Sequence, residues 1–224
     1  MTSTIGDPPG EAGAAPATGA TTLLLVRHAE VHNPERVLYG RLPEFALSES
    51  GVRQAERAAA FLANRPVAAI YSSPLLRARQ TADAIARYHP GAAREEADLL
   101  HEVGSSWQGT PFASFKPGFS TYEERREPGD ESLDDIRDRM LAFVELVRRE
   151  HPGGCAVAVS HGDPITILRV VLSGRPLTVS AIRGADYAGL CSVTEIVHEP
   201  GADRPRVAYL TVPWNLATPA AVAD

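Results

Sequence analysis

The stretch Leu23-Leu24-Leu25-Val26-Arg27-His28-Ala29-Glu30 decides the fold of this chain. Four consecutive aliphatic residues without polar alternation describe a strand buried on both faces, as in parallel sheets covered by helices on two sides. The run stops at a cation and an imidazole. Two later stretches repeat the placement: Ala68-Ala69-Ile70-Tyr71 leads into Ser72-Ser73-Pro74-Leu75-Leu76-Arg77, and Ala156-Val157-Ala158-Val159 into Ser160-His161-Gly162-Asp163. In an open α/β sheet, ligands bind outside the carboxyl ends of the strands, so these three tips can converge. Two arginines and two imidazoles gathered there describe a pocket for a dianionic phosphate, with one imidazole available as nucleophile.

Working outward, strands alternate with helices. Strands are expected at Thr22–Arg27, Ala68–Ser72, Ala93–Ala97 and Ala156–Ser160, with Leu190–Val197 and Arg206–Val212 closing the sheet. Ser48 caps a helix running to about Asn64, in which Val52, Ala55, Ala59 and Leu62 share a face. Ser73-Pro74 offers a cap and a proline at the first helical position for a helix ending near Tyr88. Leu133–Glu150 carries an unbroken apolar stripe of Leu133, Ile136, Met140, Phe143, Val144 and Val147, and Pro164–Leu172 follows the third buried strand. The loop from Ala29 to Leu47 is long, with turn signals at Asn33-Pro34 and Tyr39-Gly40-Arg41. Residues 98–131 are irregular, with a short helix near Tyr122–Arg126, and loops of this length inside a compact domain are usually functional. The alternation predicts a three-layer α/β/α sandwich with a mostly parallel central sheet. This domain is expected over 21–214, between a disordered tail at 1–20 and a flexible one at 215–224.

The chain has 224 residues, 44% of them hydrophobic, enough to bury one sizeable core. A net charge of −6 argues against nucleic acid or an anionic membrane as partner and makes cations clustered at strand ends more pointed. No run approaches the ~20 apolar residues of a membrane span. No Lys or Arg precedes Arg27, which argues against a secretory signal. Cys155 and Cys191 lie in apolar, strand-like stretches and read as buried reduced thiols, in keeping with a cytoplasmic setting. Lys116 is the single lysine, and no glycine-rich Lys-Ser/Thr loop exists to bind a nucleotide.

Arg27-His28-Ala29-Glu30, the string Ser72-Ser73-Pro74-Leu75-Leu76-Arg77-Ala78-Arg79-Gln80-Thr81-Ala82, and Ser160-His161-Gly162 together resemble the histidine phosphatase superfamily. That group includes the cofactor-dependent phosphoglycerate mutases and fructose-2,6-bisphosphatase. The likeness covers roughly residues 22–197. It implies a metal-independent phosphomonoesterase with no cofactor, acting on a small-molecule phosphate ester. His28 would attack phosphorus and become a phosphohistidine that water hydrolyses, splitting one difficult displacement into two. Arg27, Arg77 and His161 would hold the phosphoryl oxygens, a task for which arginine's planar fork is suited. The leaving alkoxide needs a proton. The resemblance assigns its delivery to Glu102, in Leu100-His101-Glu102, and places Asn33 and the backbone around Gly40 at the phosphate site. Glu30 follows the nucleophile directly and reads as a residue that orients the loop.

The chain departs from the family pattern in several places. Ala29 replaces a glycine, the run from Arg27 to Asn33 is one residue short, and His32 stands where a tryptophan is common. Asp163 replaces a glycine after His161-Gly162 and is a second candidate acid, although the segment around Glu102 matches better. Mutases carry a longer insertion before the next helix than the path here from Glu102 to Gly129-Asp130-Glu131-Ser132, which favours hydrolysis over phosphoryl transfer between hydroxyls. An inactive phosphate-binding regulator is opposed by the intact set of candidate catalytic groups. A metal hydrolase built on His28 and His32 would need them on one helix face, which Pro34 and the preceding strand oppose. Trp107, Phe112, Phe115, Phe119 and Tyr122 crowd one loop in a chain with 6% aromatics. They either pack that loop down or form a lid over an apolar or ring-bearing part of a substrate.

Overall fold

The computed structural model describes residues 19–213, so the two expected tails, apart from Gly19 and Ala20, lie outside the described residues. Six strands form one sheet: β1 (Thr21–Arg27), β2 (Val67–Ser72), β3 (Ala93–Glu96), β4 (Cys155–Ser160), β5 (Val193–His198) and β6 (Arg206–Leu210). Their order is β3-β2-β4-β1-β5-β6. The first four are mutually parallel, while β5 and β6 join antiparallel at the edge beyond β1.

Each buried strand divides its side chains between two cores. On β1, Leu23 and Leu25 pack with Ile136, Met140, Phe143 and Ile165 on one face. Leu24 and Val26 pack with Ala55, Ala59, Leu62 and Ile85 on the other. The helices supplying these faces are α3 (Leu133–Glu150) with α4 (Gly162–Leu172), and α1 (Glu49–Leu62) with α2 (Leu76–Ala86). The result is the expected three-layer sandwich. A short α5 (Val179–Ile182) packs beside α4.

Several local expectations need correction. Helix α2 begins at Leu76 rather than after Ser73, because the Ser73 hydroxyl is engaged by His161 at 2.8 Å and gives α2 no cap. Val52 is 46% exposed. The buried face of α1 runs through Gly51, Ala55, Ala58, Ala59 and Leu62, since the Glu30 carbonyl lies against Gly51 where a Cβ would collide with it. Residues 122–126 make only a turn: Asp130 accepts from the amides of Arg126 and Glu127 and diverts them from a helical ladder. Strand β5 starts at Val193, three residues later than read, because Cys191 sits in a turn at φ +56°. Both cysteines are free and buried, with burial raising their thiols to about 11 at Cys155 and about 12 at Cys191. Among the described residues, no helix is long and apolar enough to cross a membrane.

Candidate active site

Parallel pairing places the three strand tips side by side, because β4 lies between β1 and β2. The ladder continues one step past the strands. The His28 amide donates to Ser160 O at 2.9 Å, the Ser73 amide donates to Val159 O at 2.9 Å, and Arg27 pairs with Ser160 in register. Backbone hydrogen bonds of the sheet therefore bring His28, Ser73 and His161 together, and their positions follow from strand register rather than from loop packing.

The two imidazoles meet edge to face, with ring centroids 5.1 Å apart. His28 is 1% exposed and His161 and Arg77 are 0% exposed, so all three are buried. The His28 Nδ1–H donates to Ala29 O at 2.7 Å. A carbonyl can only accept, so this bond fixes the tautomer and leaves Nε2 with its lone pair. Burial, reinforced by the Arg77 charge, pushes the His28 pKa well below its ordinary value, keeping the ring neutral. His161 is lowered by the same two causes. Its Nε2 shares a hydrogen bond with Ser73 Oγ at 2.8 Å, and its Nδ1, buried without a hydrogen-bond partner, stands 3.7 Å from Glu102 Oε2.

Arg77 comes from the first turn of α2. Its Nη2 donates to Gly40 O at 2.6 Å and its guanidinium lies 4.6 Å from the centre of the Tyr39 ring. Nε and Nη1 are buried without an acceptor, and so is Arg27 Nε. Buried donors of this kind cost stability unless an oxyanion fills them. Arg27 is held in turn by Ala188 O at 2.7 Å through Nη1. The Tyr187 ring approaches Arg27 because residue 162 is glycine, where any Cβ would strike the phenol.

Glu102 stands on the opposite side. Its backbone carbonyl accepts from Arg41 Nε at 2.7 Å and from Arg139 Nη2 at 3.4 Å, and both arginines bind the Glu131 carboxylate. Burial, then the nearby Asp163 charge, raises the pKa of the Glu102 carboxyl. This is the shift a proton donor needs near neutral pH. Asp163 accepts from Tyr122 Oη at 2.6 Å and Tyr187 Oη at 2.7 Å, so each of its oxygens already holds a phenol O–H.

The structure thus gathers Arg27, His28, Gly40, Arg77, Glu102 and His161, and does not bring Asn33 to them. The Asn33 carboxamide closes on its own loop, accepting from Val37 N at 3.1 Å and donating to Val37 O at 2.8 Å. Glu30 orients its loop, accepting from Ser48 Oγ at 2.6 Å. The segment holding His28 and His32 is not helical, so those two do not form a metal pair. Ligand atoms of His28, Glu102 and His161 do lie within 4.8 Å of one another, a spacing that suits a single cation as well as a phosphoryl group. Tyr39, Arg41, Glu131, Arg139 and Tyr187 carried no sequence signal that tied them to the site, where contacts such as Arg41 to Glu102 and Tyr187 to Asp163 join separate segments.

In front of this cluster lies a cavity of about 830 Å³, lined by Arg27, Tyr39, Glu102 and Asp163 together with residues of the aromatic segment. Phe112, Phe115 and Phe119 line it, and Phe115 stacks on Phe119 at 4.1 Å with Trp107 edge-on to both.

A mostly parallel α/β sheet with two buried imidazoles at its strand tips, and unpartnered guanidinium donors and a largely buried carboxyl close by, defines the class of α/β protein to which the chain is compared. The chain matches the histidine phosphatase superfamily (branch 1) over residues 23–210 and belongs to that family. It is 36% identical to a Mycobacterium tuberculosis protein of uncharacterised function, Rv0525, over 80% of this chain and 91% of the relative. It is 31% identical to phosphoserine phosphatase 1 of Hydrogenobacter thermophilus over 74% of this chain and 82% of that protein. Its fold matches the solved structure of YhfR from Bacillus stearothermophilus with a TM-score of 0.74 at 26% identity, covering 84% of this chain and 95% of the other.

Proposed function

We propose that the chain is a phosphomonoesterase that releases inorganic phosphate from a small-molecule ester through a phosphohistidine on His28. His28 Nε2 attacks phosphorus as the ester P–O bond breaks, and Glu102 gives its proton to the departing alkoxide oxygen. Water then attacks phosphorus as the N–P bond breaks, with the Glu102 carboxylate taking its proton and the imidazole leaving neutral. Arg27 and Arg77 hold the phosphoryl oxygens with fixed positive charge, which lowers the barrier most, and His161 joins them as a neutral imidazole.

The observation that carries this reading is the His28 Nδ1–H bond to Ala29 O, which leaves Nε2 unprotonated beside the unpartnered Nε and Nη1 of Arg77. Glu102 is preferred to Asp163 as acid because burial raises its pKa, whereas both Asp163 oxygens are occupied by tyrosines. A metal at His28, Glu102 and His161 is disfavoured by the positive charge of Arg77 and Arg27, which bears on the same site.

The test is a panel of phosphomonoesters with wild type beside His28→Ala. Phosphate release and an acid-labile, alkali-stable phosphoenzyme in wild type alone are expected, unchanged by EDTA. Turnover that survives in His28→Ala, or that EDTA abolishes, overturns the assignment. Conversion of 3-phosphoglycerate to its isomer in the presence of 2,3-bisphosphoglycerate, without phosphate release, marks a mutase instead.

A further inference from the structure

The cavity has a floor and a mouth that differ in chemistry. At its inner side it is lined by Arg27, Gly40 and Glu102, which adjoin the fully buried His28, Arg77 and His161 of the phosphoryl site. At the mouth, two cations that the reaction does not use line the same cavity: Lys116, the single lysine of the chain, and Arg183, just after α5. Both are exposed. Among the described residues, neither side chain has a carboxylate or hydrogen-bond partner. The two carboxylates that line the cavity are otherwise engaged, Glu102 beside His161 and Asp163 between two tyrosine hydroxyls. Phe112, Phe115 and Phe119 line the cavity as well, and Phe115 stacks on Phe119.

A cavity of about 830 Å³ falls within the ~300–1,000 Å³ range that encloses ligands of drug size, several times what a three-carbon ester fills. Its lining combines the edge of a phosphate cradle, an aromatic wall and two free cations, chemistry that suits an anion larger than the phosphoryl group alone. We infer that the preferred substrate is a phosphomonoester whose alcohol carries a ring or other apolar body and, at its far end, a second anionic group held by Lys116 and Arg183. This deepens the phosphatase reading and rests on it. In a chain of net charge −6, two uncompensated cations at the entrance also offset the repulsion that such a doubly anionic ester meets on approach.

The experiment compares 3-(4-phosphonooxyphenyl)propanoate with its primary amide, which has the same shape and leaving phenol but no distal charge. Wild type is expected to turn over the acid with kcat/KM about tenfold above the amide, the scale of two solvent-exposed charge contacts. Lys116→Gln/Arg183→Gln should erase that preference, chiefly through KM, and leave the amide and p-nitrophenyl phosphate within about twofold of wild type. Equal kcat/KM for acid and amide in wild type, or an equal loss on both in the double variant, overturns the distal site while leaving the phosphatase standing. The non-hydrolysable phosphonates of the same pair, titrated calorimetrically, separate the other failure. If no ester is turned over, the catalytic reading falls, and the phosphonates still report whether Lys116 and Arg183 select the charged ligand.

Discussion

Arg77 grips the Gly40 carbonyl at 2.6 Å with one nitrogen and presents two others, buried and unpartnered, to the space beside His28. A folded protein that leaves such donors empty gains stability when an oxyanion fills them. Phosphate or orthovanadate should therefore raise the melting temperature, by the equivalent of about 2.7 kcal/mol at a hundredfold excess over Kd. Arg77→Met should lose most of that shift, while Arg36→Met, on an exposed loop, should keep it. Differential scanning calorimetry with and without ligand decides.

Glu131 ties Arg41 to Arg139, and both arginines hold the carbonyl of Glu102. If Glu102 is the acid proposed above, Glu131 is a positioning residue that sets where that acid stands. Glu131→Gln should lower kcat on an alkyl phosphate by about tenfold or more, because an alkoxide must be protonated as it leaves. On p-nitrophenyl phosphate, whose phenolate departs unaided, the loss should be small. A loss of the same size on both esters would mean that the variant merely weakens the fold.

The acid limb of the rate should lie below the pH at which ordinary histidine titrates. His28 must be neutral to attack, and burial with the Arg77 charge lowers its pKa. Stability carries the complementary sign. As pH falls below about 6.5, the unfolded chain takes up protons at positions 28 and 161 that the folded chain refuses. Each histidine then removes up to about 1.4 kcal/mol per pH unit until its folded pKa is reached. Glu102 works in the opposite direction, since its raised pKa lets the folded form take its proton first. Urea midpoints across pH 5–8 should therefore fall less steeply toward acid in His28→Asn than in wild type.

Asp163 holds a charge near Glu102 while anchoring Tyr122 and Tyr187. Replacing it with Asn removes one cause of the raised Glu102 pKa and leaves the larger one, burial. The basic limb of the pH profile, where Glu102 loses its proton, should move to lower pH. The acid limb, set at His28, should stay. Stopped-flow rates on an alkyl ester across pH 5–9 read both limbs at once.

The layers were legible because β1, β2 and β4 are continuous apolar runs, and a strand buried on both faces admits nothing else. The convergence of Arg27, His28 and His161 was legible for a related reason: they sit at strand ends, where topology alone brings them side by side. Legibility ended where a role depended on a distant partner. Arg41 and Glu131 are 90 positions apart, and Arg27 and Ala188 are 161 apart. Ser73 showed a local cap signal that α2 does not use: its hydroxyl bonds the buried His161 imidazole and accepts from the Leu75 amide, while α2 starts at Leu76 with no side-chain cap. Asn33 matched a pattern by its type, and its carboxamide is bonded twice to Val37 within its own loop.

The split between a floor of strand ends and a wall of irregular segments has a consequence for how such proteins diversify. The floor is welded to the sheet by ladder hydrogen bonds at Ser160 and Val159, so any drift there disturbs the folding core as well as the chemistry. Residues 105–121 and 179–187 carry most of the wall and no strand. Selection can rewrite those two segments to suit a new alcohol while the inherited phosphorus chemistry below passes unaltered from one descendant to the next.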